Sequence, residues 1–179
     1  MKTKLEEHNW ILLRGLTRES GHWGDFAKQL KQSAGEDKVH MLDLPGAGEN
    51  LNVTSPFDLR KIVKFIRGQA KERGLLEKPV MILSISLGAM LAVEWERSFP
   101  EDIEGLVLIN TSLRGFNSLG KRLQPKAWPF FAKAVLSRTI KEKETAILEL
   151  VANDSSIREK YLDSWVEIAE KRPLSLENS

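Results

Sequence analysis

The chain has 179 residues, 41% hydrophobic and 29% charged, with a formal net charge of +2 at pH 7. These values describe a soluble globular core of ordinary size with room for an insertion, and the near-neutral balance gives no electrostatic case for nucleic acid or a membrane surface. Cysteine is absent, which excludes disulfides and Cys-ligated metals and suits a cytoplasmic setting. The N-terminal MKTKLEEHNW carries charges but no apolar h-region, and the apolar runs are strand-sized, too short to cross a bilayer.

In chain order, WILL (Trp10–Leu13) predicts a short buried strand ended by Arg14-Gly15. From His22 to Ser33, the apolar residues Trp23, Phe26, Ala27 and Leu30 recur at helical spacing and predict an amphipathic helix stopping near Gly35. KVHMLDLPGAG predicts a second strand running into a Pro/Gly turn. Ser55-Pro-Phe-Asp58 offers an N-cap serine and a proline at the first helical position. The stripe Leu59, Ile62, Val63 and Ile66 comes next, ending about Gly74. VMIL is the third strand, Leu87–Phe99 the next helix and GLVLIN the fourth strand. Strand and helix alternate, and the strands are continuous apolar runs. That pattern predicts an α/β fold: a parallel sheet with helices on both faces, in three layers.

Residues 113–179 contain no strand-like run. After PKAWPFFAKAV come two amphipathic patterns, Ala146, Ile147, Leu150, Val151 and then Leu162, Trp165, Val166, Ala169. The expected organisation is a core over 1–112 and a helical cap or lid over 113–179.

The segment VMILSISLGAMLAVEW places a hydroxyl where a buried strand turns directly into a helix. Such a turn pushes one side chain off the C-terminal edge of the sheet, and its cramped backbone demands small residues two positions either side. Ser84-Ile-Ser86-Leu-Gly88 meets that demand with Ser86 at the apex. A serine is a weak nucleophile until a neighbouring base takes its proton. The helix starting at Leu87 adds a backbone N–H and a positive dipole end where negative charge develops in acyl transfer.

Together WILLRGL, HMLDLPGAGEN, the serine turn, EGLVLINTS and the helices from FNSLGKRLQPKAWPFF onward resemble, in order, the α/β-hydrolase superfamily. Within it the chain is similar to small capped bacterial esterases. The resemblance implies a carboxylic-ester hydrolase forming an acyl-enzyme at Ser86, with the backbone N–H groups of Leu16 and Leu87 as the oxyanion hole. Trp128, Phe130 and Phe131 would line a substrate pocket beneath the cap. The implied substrate is a small-molecule ester, with no metal or organic cofactor and no nucleic-acid or membrane partner. Two positions depart from the family pattern: Arg14 stands for the usual His before Gly15, and Ser84 for the usual first Gly of the turn.

GAGEN shares the start of a dinucleotide-binding G-x-G-x-x-G, but Leu51 occupies the last position and Pro45 precedes the first Gly, which argues against a nucleotide site. Lys121, Arg122, Lys126, Lys133, Arg138, Lys141 and Lys143 read as the solvated face of the cap. The family order of Ser, acid, His leaves the acid and the base unaccounted for, since no histidine follows His40. The expectation is therefore a hydrolase seen without its acid and His, and of low activity as given. A non-catalytic binding module on the same scaffold is the alternative. His22 is the one in-chain substitute base worth naming.

Overall fold

The computed structural model describes residues 4–111 and 128–171, in two compact units. The first holds a four-stranded sheet of β1 (Trp10–Leu13), β2 (Val39–Leu42), β3 (Val80–Ile85) and β4 (Ile103–Ile109). Its order is β2-β1-β3-β4 and every neighbouring pair is parallel. The parallel α/β fold class expected from the sequence is the one observed.

Helix α1 (Gly24–Ala34) joins β1 to β2, α2 (Leu59–Glu72) joins β2 to β3, and α3 (Leu87–Ser98) joins β3 to β4. Because side chains alternate along a strand, β1 feeds two cores. Ile11 and Leu13 pack with Ile62, Val63, Ile66, Leu91 and Trp95 from α2 and α3. Trp10 and Leu12 pack with Trp23, Ala27 and Ala34 on the α1 side. The helices thus cover both faces. A bidentate pair ties the α2–α3 layer to β4: Arg67 donates to Asp102 through Nε at 2.6 Å and Nη2 at 3.0 Å, and Trp95 Nε1 donates to the same carboxylate at 2.8 Å.

Three local expectations shift. The first α-helix begins at Gly24, because residues Ser20–Trp23 wind as a 3-10 turn. Helix α2 starts at Leu59 with Asp58, not Ser55, as its cap: the Asp58 carboxylate accepts from Arg60 N at 2.8 Å. Strand β4 is not covered on both faces, since it pairs with β3 alone among the described residues and leaves Val107 36% and Ile109 37% exposed.

The second unit contains α4 (Trp128–Leu136), α5 (Ile140–Val151) and α6 (Ser155–Glu170). Thr139 and Glu142 form a reciprocal capping box at the start of α5, and Asp154 caps α6. Ala146, Leu148 and Trp165 are buried, whereas Val151 of the expected α5 stripe lies at the helix end and is exposed. Lys133, Arg138, Lys141 and Lys143 face solvent. No described helix is long and apolar enough to cross a membrane.

Candidate active site

The chain leaves β1 toward β2 on one side and returns to place β3 on the other. Loops leaving the C-terminal ends of β1 and β3 therefore diverge to opposite faces, and the crevice between them is where ligands bind in open parallel sheets. Arg14 to Arg18 follow β1 there, and Ser86 follows β3.

Ser86 joins β3 to α3 with φ 56° and ψ −116°, a backbone conformation L-residues avoid. It is held by its neighbours: Ser86 N–H donates to Ile109 O at 3.0 Å, and Ser86 O accepts from Ala89 N at 3.1 Å. Although Ser86 occupies the N-cap position, its side chain makes no capping bond and is exposed. The hydroxyl is available for chemistry.

The small neighbours have direct causes. A Cβ on Gly88 would lie 2.6 Å from the carbonyl oxygens of both Leu13 and Arg14. A Cβ on Gly15 would lie 3.1 Å from Ser86 Cβ, so the loop after β1 rests directly on the serine. Ser84 is fully buried, its hydroxyl 3.4 Å from Val107 O. The loop then turns tightly, Arg18 N donating to Gly15 O at 3.2 Å across Leu16 and Thr17, and Thr17 adopts φ 56°. Leu16 is 66% exposed at this turn, and Leu87 is the first residue of α3. Of the two residues named for the oxyanion hole, Leu87 directly follows Ser86, and Leu16 directly follows Gly15, the residue that packs on Ser86.

Asp43, at the end of β2, fastens this loop, a role that sequence alone did not suggest. Its Oδ1 accepts from Ser20 N at 2.7 Å and Ser20 Oγ at 2.8 Å, while Oδ2 accepts from Glu49 N at 3.2 Å. Gly48 N in turn donates to Glu19 at 3.2 Å. A buried aspartate inside LDLPGAG was the available signal, because a carboxylate at a strand end is costly unless several N–H groups meet it.

His22 is buried, with Nε2 2.9 Å from Arg18 Nη1. Its Nδ1 lies 3.1 Å from Glu19 N and 3.3 Å from Glu19 O. Both ring nitrogens are thereby engaged within the loop after β1. His40 sits in β2, separated from β3 by β1, and burial followed by the Arg73 charge lowers its pKa. His8 precedes β1, at the opposite end of the strand from the serine loop. Among the described residues, then, no imidazole is set to take the Ser86 proton. No described cluster of His, Asp or Glu could hold a metal ion. The side chains of Trp128, Phe130 and Phe131 lie outside the described part of the structure, as do Lys121, Arg122 and Lys126.

Residues 10–174 match the profile of the Alpha/beta hydrolase family. The chain belongs to that family. Among curated proteins it is 33% identical, over 105 residues, to a pimeloyl-[acyl-carrier protein] methyl ester esterase of Pseudoalteromonas atlantica, covering 58% of this chain and 37% of that protein. A protein of the same description from Chromobacterium violaceum is 29% identical over 93 residues, covering 52% and 34%. Among solved structures, a carboxylesterase of Nitrososphaera gargenis superposes with TM-score 0.65 at 17% identity, covering 98% of this chain and 62% of that one. An esterase of Thermogutta terrifontis gives 0.61 at 19%, covering 93% and 59%. The chain thus spans about a third of the curated relatives' length and about three-fifths of the solved chains.

Proposed function

We propose that this alpha/beta hydrolase chain carries the nucleophile and oxyanion hole of a carboxylic-ester hydrolase acting on a small-molecule ester in the cytoplasm. The observation that carries the reading is Ser86: an exposed hydroxyl that caps nothing, on a left-handed turn between a buried strand and a helix. Ser86 Oγ attacks the ester carbonyl and gives its proton to a base. The tetrahedral oxyanion is held by the N–H groups of Leu16 and Leu87, beside the positive end of α3. Collapse expels the alcohol, which takes up the proton, and leaves an acyl-Ser86 ester that water then hydrolyses. The chemistry requires no metal or organic cofactor.

The base and its acid fall, in this reading, within the length of the relatives that this chain does not span. Residues 113–179 act as a cap, with Trp128, Phe130 and Phe131 lining the acyl or alcohol pocket. Methyl esters are the first substrates to test, because the two curated relatives are methyl ester esterases.

The test is turnover of short-chain methyl and activated aryl esters, with covalent labelling by a fluorophosphonate, by this chain and by one extended to the relatives' length, each with Ser86→Ala. Ser86-dependent turnover in the extended chain is expected, with little in the 179-residue chain. Turnover undiminished by Ser86→Ala would remove the nucleophile assignment. One observation favours a second reading, a binding module without catalysis: His22, the in-chain candidate base, has both ring nitrogens engaged within the loop after β1. Absence of Ser86-dependent turnover in the extended chain across the ester series would select that reading.

A further inference from the structure

Arg14 occupies the position between β1 and the loop that rests on Ser86, and it is a cation without a counter-charge. Arg60 and Arg97 meet Glu94, Arg67 meets Asp102, and Arg73 meets Glu49. Among the described residues no carboxylate meets Arg14, and its one charged influence is Arg18, a second cation. The nearby carboxylates are engaged elsewhere, Asp43 on Ser20 and Glu49 N–H, Glu19 on Gly48 N–H.

The guanidinium is nevertheless fixed. Its Cζ lies 4.9 Å above the ring of Trp23, itself buried against α1. Its Nε is enclosed and has no hydrogen-bond partner. Burial, and then repulsion from Arg18, lowers the Arg14 pKa to about 10. A desolvated guanidinium with unused donors, held over an indole ring, can pair with a planar oxyanion through two parallel N–H···O bonds. The donors left for a ligand are those on Nη1 and Nη2. The main chain of Arg14 lies beside the Ser86 turn, since Gly15 packs on Ser86 and the Arg14 carbonyl packs on Gly88, and the guanidinium extends from there to the Trp23 ring.

We propose that Arg14 receives a carboxylate carried by the substrate, so that the preferred esters are half-esters of dicarboxylic acids. This rests on the ester-hydrolase reading for the reacting end alone. The carboxylate would supply the missing counter-charge and fix the distance from the anchored end to the carbonyl at Ser86. Specificity would then depend on the number of carbons between the two ends.

The experiment is calorimetric titration of the full chain with the monomethyl esters of malonate, succinate, glutarate and adipate, and with the corresponding uncharged dimethyl esters. Wild type should bind one length of half-ester at least about tenfold more tightly than its diester, the scale of a charge-assisted pair. That preference should vanish in Arg14→Gln, weaken in Arg14→Lys, and persist in Arg60→Gln. Equal binding of half-ester and diester, or a preference surviving in Arg14→Gln, would overturn the proposal. Should Arg14→Gln fail to fold, phenylglyoxal modification of wild type read by mass spectrometry decides instead: the half-ester should shield Arg14, and an unshielded Arg14 refutes it. Ser86→Ala separates the two readings. A half-ester preference there, with no Ser86-dependent turnover in the extended chain, would discard the hydrolase reading and keep the Arg14 site. Ser86-dependent turnover without the preference would do the reverse.

Discussion

Two glycine-to-alanine substitutions should move stability in opposite directions. Gly68, within α2, has nothing within 4 Å of the position a Cβ would take. Alanine there gains helix propensity and restricts the unfolded chain, which stabilises by about 0.5–1 kcal/mol. Gly88, in the first turn of α3, would place its Cβ 2.6 Å from two main-chain oxygens of β1 and its loop. Carbon and oxygen come no closer than about 3.3 Å in comfortable contact, so the end of β1 would have to retreat by roughly 0.7 Å. A clash with two main-chain oxygens falls in the upper half of the overpacking range, about 2–3 kcal/mol, and subtracting alanine's propensity gain of about 1 kcal/mol leaves a net cost of about 1–2 kcal/mol. At about 2–4 °C per kcal/mol for a chain of this size, Gly88→Ala should lower Tm by about 2–8 °C and Gly68→Ala should raise it by about 1–4 °C. Thermal unfolding monitored by circular dichroism measures both. A Gly88→Ala protein as stable as wild type would refute the close approach of β1 and α3 on which the Ser86 turn depends.

Ser86→Gly should raise Tm by several degrees while losing all labelling by a fluorophosphonate, because glycine accepts φ 56° where serine is strained by about 1–3 kcal/mol; a lower Tm would show the turn to be relaxed. His22→Ala should leave fluorophosphonate labelling of Ser86 within about twofold and cost about 1–3 kcal/mol in chemical denaturation, since Arg18 loses a buried acceptor. A large loss of labelling in a folded His22→Ala protein would identify His22 as the base. For Asp102, burial pushes its pKa up, but hydrogen bonds from Arg67 and Trp95 and the Arg67 charge outweigh it and hold it below the ordinary 3.8. Its contribution is therefore fully present above that value and is lost as pH falls below it toward the depressed folded pKa. Urea midpoints measured from pH 5 downward should fall in wild type below about pH 4 and fall less in Asp102→Asn.

Features set by periodicity and local geometry were legible in the sequence. Continuous apolar runs at WILL, VMIL and GLVLIN, alternating with helical stripes, were enough for a parallel sheet, though not for the order of its strands. Small residues around Ser86 were enough to expect its strained turn, because the crowding is set by the backbone itself. The helix starts were less legible. Ser55-Pro56 has the form of a cap, yet Asp58 performs the capping because the stripe beginning at Leu59 decides where α2 can bury itself. The roles of Asp43 and Arg14 were illegible for another reason. Each depends on which groups from distant loops arrive beside it, and sequence spacing carries no record of that.

The sheet widens outward from β1, which bears on synthesis at the ribosome. Once β3 has emerged, β2, β1 and β3 with α1 and α2 already contain most of the residues that make up both cores. The amide of Ser86, however, is anchored to the carbonyl of Ile109, the last residue of β4. A nascent chain stopping short of Ile109 would hold a nearly complete interior around a serine still free to relax. One of the main-chain bonds that hold the strained Ser86 turn is thus supplied last, by the strand at the growing rim.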